Sequence, residues 1–187
     1  MERIRCFIAV DVDDPSLLSK LCDVQDAINK LGCNVKLVEK ENIHVTLRFL
    51  GEIPQSLVDE VAKALGKLSG KPFDMRLKGL GAFPSPGRPR VVWVGVADGS
   101  QQLIDLYRQV EFSLRPLGFR PEREAFTPHI TLARVKSPRA LNSLTKLLAE
   151  MADADFGLQH VESVKLKRSI LTPKGSIYSD LYVKQLG

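Results

Sequence analysis

Histidine is scarce in this chain of 187 residues. There are three, and two of them open the same pattern, His44-Val45-Thr46-Leu47 and His129-Ile130-Thr131-Leu132. A random histidine should be followed by apolar, threonine, apolar less than roughly once in a hundred times, so two from three is a signal rather than an accident. Imidazole titrates near neutral pH, and two imidazoles brought together supply an acid and a base. Two threonine hydroxyls beside them donate hydrogen bonds to anionic oxygens. That set suits an in-line displacement at phosphorus. One imidazole takes the proton of the attacking hydroxyl, the other gives a proton to the leaving oxygen, and the hydroxyls hold the non-bridging oxygens. Such a reaction calls for no covalent nucleophile, no cofactor and no metal.

Both patterns lie in runs rich in β-branched residues, 43–50 and 127–135, which read as strands. Side chains two apart on a strand share a face. His44 and Thr46 therefore point one way, as do His129 and Thr131, while Val45, Leu47, Ile130 and Leu132 point the other way into a core. A single strand histidine is more often satisfied by core partners, and a strand threonine by its β-propensity. It is the matched pairing that singles these four out. The same alternation puts Arg48 on the face of His44, and puts Arg134 on the face opposite His129 unless the strand bends. Both arginines are candidates for neutralising phosphates. Phe7 and Phe126 are candidates for stacking a terminal base, with core packing as their ordinary role. Arg88, Arg90, Arg120 and Arg123 are candidates for steering an anionic strand such as a nucleic acid. His160 has Glu162 rather than threonine two positions on, and reads as a surface histidine.

The elements that must hold these residues alternate irregularly. Strands are predicted over 4–12, 35–38, 73–83 and 90–97, and helices over 15–31, 54–65, 103–114 and 138–151, the first capped by Asp14 with Pro15 following. One long strand is predicted over 156–171 and another over 176–186, joined by the turn Thr172-Pro173-Lys174-Gly175. Pro84, Pro86, Gly87 and Pro89 mark a loop. Mixed helices and strands with hairpin turns indicate an α+β fold with mainly antiparallel sheets. A weak internal repeat implies two lobes, each lending a sheet and one His-Thr pair to a shared cleft. No linker separates them, so 1–187 reads as a single bilobal domain.

Composition is consistent with a folded globule at 44% hydrophobic and 26% charged residues, and the net charge of +5 suits an anionic ligand. Three cysteines without metal-ligand or C-x-x-C spacing fit a reducing, cytoplasmic setting. No apolar stretch is long enough to span a membrane.

The two motifs and their flanks, notably Glu41-Asn42-Ile43-His44-Val45-Thr46-Leu47-Arg48-Phe49-Leu50-Gly51 and Phe126-Thr127-Pro128-His129-Ile130-Thr131-Leu132, resemble the 2H phosphoesterase superfamily. So do the opening Arg5-Cys6-Phe7-Ile8-Ala9-Val10-Asp11, the stretch Phe83-Pro84-Ser85 with Arg88-Pro89-Arg90-Val91-Val92-Trp93, and Leu171-Thr172-Pro173-Lys174-Gly175 with Tyr178. Within that superfamily the chain is most similar to prokaryotic RNA 2′,3′-cyclic phosphodiesterases, also called 2′-5′ RNA ligases. The resemblance implies two antiparallel sheets lining a V-shaped cleft with helices outside, a monomer, and metal-independent hydrolysis of RNA 2′,3′-cyclic phosphate ends to 2′-phosphates. By it His44 is the proton donor to the leaving 3′ oxygen and His129 the proton acceptor from water, with Thr46 and Thr131 on the phosphate. The residues alone leave these two roles interchangeable. Three alternatives remain open at this point: 2′-5′ ligation of tRNA halves, action on a small cyclic phosphate, and a nucleotide- or RNA-binding module without turnover.

Overall fold

A computed structural model describes residues 1–187. The chain runs β1 (Arg3–Asp11), α1 (Pro15–Lys30), β2 (Val35–Leu37), β3 (His44–Pro54), α2 (Gln55–Leu65), β4 (Phe73–Ser85), β5 (Arg88–Val96), α3 (Ser100–Leu114), β6 (His129–Val135), α4 (Leu141–Glu150), β7 (Asp155–Val161), β8 (Ser163–Thr172) and β9 (Gly175–Gln185). The fold is α+β, with four helices on one antiparallel sheet that curls into a half-barrel.

Strand order is β7-β4-β5-β6-β3-β1-β8-β9, with β2 added along the far half of β6. The middle of this order is its weakest point. Strands β6 and β3 are joined by one residue pair, Val45 opposite Ile130. The sheet is thus two four-stranded halves that meet at a seam. The two strands at that seam are the two that carry the histidines.

Each helix forms for ordinary reasons. In α1, Leu17, Leu21, Val24 and Ile28 recur at helical spacing and are buried, and the Asp14 carboxylate accepts the Leu17 N–H at 2.9 Å to cap the first turn. In α2, Val58, Val61 and Leu65 form the buried stripe. Helices α2 and α3 pack on the β3 side, whereas α1 packs on β7 and β6, and α4 on β5 and β4. One core cluster of 39 residues draws on both halves. No helix is long and apolar enough to cross a membrane, and the three cysteines are free thiols.

The stretch 156–171 is two strands rather than the predicted one. It breaks at Glu162: β7 pairs with β4 in one half, and β8 pairs with β1 in the other. Both pieces are half-buried with the same alternation, so periodicity alone does not reveal the crossing. The proline-rich stretch 84–89 is also tighter than a loop, since β4 and β5 continue to Ser85 and Arg88 around a Pro86-Gly87 turn.

Candidate active site

The seam brings the two motifs together. Val45 and Ile130 are fully buried where they pair, and the residues flanking them, His44 with Thr46 and His129 with Thr131, turn to the opposite, open face. Because the strands are antiparallel, the two pairs are related by an approximate two-fold axis through the seam.

The rings are posed alike. His44 Nδ1 lies 2.6 Å from the Asn42 carbonyl oxygen, and His129 Nδ1 lies 2.7 Å from the Thr127 carbonyl oxygen, in each case two residues back along the chain. A carbonyl only accepts, so Nδ1 carries the hydrogen in both rings, and Nε2 is the atom left for proton transfer. His44 Nε2 is 2.8 Å from Thr46 Oγ1. Burial holds the His44 imidazole below its usual pKa. The Asn42 carbonyl and the Asp11 carboxylate oppose that shift, while the positive charges of Lys167 and His129 add to it.

Aromatic rings wall each histidine. The Phe7 ring centroid is 5.1 Å from that of His44, and Tyr178 stands edge-on at 5.6 Å. Phe83 meets His129 edge-on at 4.9 Å, and Trp93 lies at 6.4 Å. Trp93 in turn dictates a glycine. A Cβ on Gly81 would fall 2.3 Å from the indole ring, a distance no neighbour could concede.

Each histidine strand carries a bulge after its threonine. Along β3, Thr46 is opposite Ala9 but Arg48 is opposite Ile8, so Leu47 is the extra residue. Along β6, Thr131 is opposite Trp93 but Ala133 is opposite Val92, so Leu132 is extra. A bulge reverses the facing of everything beyond it. This corrects the facing expected of Arg48 and meets the exception left for Arg134. Arg48 turns away from the face of His44 and is only 9% exposed. Its Nη1 donates to Glu111 Oε1, its Nη2 donates to the Arg120 carbonyl at 2.7 Å, and Glu122 lies 3.3 Å from Nε. It fastens β3 to α3 and has no reach to a phosphate. Arg134 returns to the open face beside His129 and Thr131, where it is exposed.

Other candidates fall differently from expectation. Phe7 is 3% exposed and backs His44, so it has no free face for a base. Phe126 stacks on Tyr107, with centroids 4.4 Å apart and planes at 15°, and that ring face is taken. The exposed aromatic at the cleft is Phe49, at 63%, which the bulge turns toward Phe7. Its position in β3 matches that of Arg134 in β6, and the bulge hid both from a strict alternation. Arg88 and Arg90 are exposed at the start of β5, and Arg120 and Arg123 are exposed on the connection from α3 to β6. His160 is exposed and pairs with Asp74 at 2.7 Å, on β7 away from the seam. No three His, Cys, Asp or Glu side chains are grouped so as to hold a metal ion.

Two antiparallel half-sheets that bring matched His-Thr pairs to one seam define a two-lobed phosphoesterase. The chain belongs to the LigT-like phosphoesterase family, whose model matches it twice, over residues 12–93 and 94–178, once for each motif. An RNA 2′,3′-cyclic phosphodiesterase of Aeropyrum pernix is 46% identical over 89% of this chain and 94% of its own length. One from Methanothermobacter thermautotrophicus is 38% identical over 98% of this chain and 100% of its own. Among solved structures, TT0787 of Thermus thermophilus superposes with a TM-score of 0.79 at 29% identity, covering 97% of each chain.

Proposed function

We propose that this protein hydrolyses the 2′,3′-cyclic phosphate at the end of an RNA strand, tRNA fragments among them, and leaves a 2′-phosphate and a 3′-hydroxyl. The observation that carries the reading is the pair of His-Thr motifs posed alike across one seam, each ring with Nδ1 tied back to a backbone carbonyl so that Nε2 is the atom left for proton transfer, in His44 beside the Thr46 hydroxyl. Relatives sharing up to 46% of their residues over nearly the whole chain carry the name of that activity.

In this mechanism the cyclic phosphate sits between the two Nε2 atoms. His129 Nε2 takes a proton from water as the water oxygen bonds to phosphorus. The P–O3′ bond breaks, and His44 Nε2 gives its proton to the departing O3′. The former water oxygen stays on phosphorus, and exchange with solvent returns each ring to its starting state. Thr46 and Thr131 hold the non-bridging oxygens, whose charge grows as the displacement proceeds. Arg134 adds a cation on the same face. With an RNA 5′-hydroxyl in place of water, the same path joins two strands through a 2′-5′ linkage.

The test is hydrolysis of a 2′,3′-cyclic-phosphate oligonucleotide in EDTA by the parent, His44→Ala and His129→Ala. The expected result is a 2′-phosphate product from the parent and a loss of at least about a hundredfold in each variant. Tight binding of the oligonucleotide by a folded parent without turnover would make the protein a binding module instead.

A further inference from the structure

The surroundings of the two histidines differ in charge at one ladder position. Opposite His44 on the neighbouring strand stands Asp11; opposite His129 stands Gly95. Residues directly opposite on antiparallel strands share a face, so a carboxylate accompanies one imidazole and none accompanies the other.

Asp11 is fixed by a four-charge network. Lys167 Nζ donates to Asp11 Oδ1 at 2.7 Å and lies 3.4 Å from Asp180. Lys165 Nζ is 2.8 Å from Asp11 Oδ2 and 3.0 Å from Asp180. Lys167 is 7% exposed, deep for a lysine. The network ties β1 to β8 and β9 and is neutral as a whole. Burial resists the ionisation of Asp11, but the two ammonium groups outweigh it and hold the carboxyl below its usual pKa.

Resting on the two-histidine reading, we propose that Asp11, clamped by Lys165, Lys167 and Asp180, makes the two otherwise matched imidazoles unequal and fixes His44 as the proton donor. Asp11 is a positioning residue here and does not touch the phosphate. The titratable and charged groups facing His44 are Asp11 from β1, Lys167 from β8, Tyr178 from β9 and His129 from β6. Of these only Asp11 favours a positive imidazolium. The lysines hold it at the right place and distance, and Lys167 limits how strongly it acts. His129 has Gly95 in that place, which leaves its Nε2 to the base role.

The experiment titrates the His44 ring by NMR in the free parent, Asp11→Asn and Lys167→Met. It also measures turnover of two substrates: the 2′,3′-cyclic-phosphate oligonucleotide, and the same molecule with sulfur in place of the 3′ oxygen. Sulfur leaves without needing a proton. The His44 pKa should fall in Asp11→Asn, because Lys167 then faces it without the opposing carboxylate, and should rise in Lys167→Met. A shift of one unit corresponds to about tenfold in proton occupancy, so Asp11→Asn should turn over the oxygen substrate about tenfold more slowly and the sulfur substrate less than about twofold more slowly. A network that merely fastened three strands would move both variants the same way, or neither, and that result overturns the proposal. Titrations that move as expected while the sulfur substrate suffers equally overturn the donor role. Asp180→Asn, which keeps both lysine contacts to Asp11, should act in the same direction as Asp11→Asn but more weakly; it decides the case if Asp11→Asn does not fold. The titrations need no substrate, so they stand apart from the hydrolysis reading. A folded parent that turns over neither substrate removes that reading, and the donor role with it.

Discussion

At the scale of single residues, the chemistry rests on where protons sit. His44 is neutral in the free protein near pH 7, because burial holds its pKa below the usual value. An anionic phosphate beside it favours the charged form. Binding inorganic phosphate should therefore draw a proton onto His44. Calorimetry at pH 7 in two buffers of different ionisation enthalpy should give different apparent heats, and His44→Gln should remove most of the difference. The same shift has a sign in stability. The folded state binds this proton less readily than the unfolded chain, so its contribution is fully present above about pH 6.5 and is lost as pH falls through the folded pKa. The threonines act at a different stage. In the proposed mechanism each hydroxyl donates to an oxygen whose charge grows in the transition state, so Thr46→Val or Thr131→Val should lower kcat by about a hundredfold with a smaller change in KM. A KM effect alone would make the hydroxyl a ground-state contact.

At the scale of elements, the bulges at Leu47 and Leu132 decide which arginine serves which purpose. Arg48 is sealed against Glu111 with both side chains nearly buried. Arg48→Met leaves the Glu111 charge without its main partner, and should cost about 3 kcal/mol in denaturant unfolding while turnover per folded molecule holds. Arg134→Ala should do the reverse. Stability should stay within about 0.5 kcal/mol, and KM for an RNA oligonucleotide should rise about tenfold, the loss of one charged hydrogen bond of about 1.5 kcal/mol. The four residues of the two motifs, their shared faces and the strands that carry them were legible in the sequence, because period-two alternation holds from His44 to Leu47 and from His129 to Leu132. Beyond those points it fails. A bulge adds one residue to one strand without any change in composition, so Arg48 and Arg134 exchange faces with no local sign. Phe7 is a candidate base platform by sequence and a wall in the structure, because its burial depends on Tyr178 and Phe49, which are remote in sequence. Nothing in the sequence singles out Asp11, Lys167 and Asp180, for the same reason. Their juxtaposition exists only once β1, β8 and β9 are paired.

At the scale of the whole molecule, the repeat in the sequence and the halves of the sheet do not divide the chain in the same way. Along the chain, each repeat runs strand, helix, histidine strand, helix: β1-α1-β3-α2, with the short β2 before β3, then β5-α3-β6-α4. In space the elements are exchanged. The strand after α2, β4, pairs with β5 in the second half, and the strand after α4 splits, so that β8 returns to pair with β1 in the first. Helix α1 packs on β6 and β7, and α3 packs on β3. Each half of the sheet therefore takes strands and covering helices from both repeats, and the seam itself contributes a single ladder pair. Stability across the cleft comes from these exchanges rather than from the seam. Fragments cut between the repeats, 1–86 and 87–187, should each lack the partners of their apolar faces: without the second repeat β1 loses β8, and β5 in the second loses β4. Expressed alone, each should show little cooperative structure by circular dichroism, and mixing the two should restore both the spectrum and turnover. The intact chain should unfold in one transition seen alike by far-ultraviolet dichroism and by the emission of Trp93, which sits in the second half. Two separate transitions, or a fragment folded by itself, would mean that the repeats are independent units and that the exchanged strands contribute little to holding the two histidines in register.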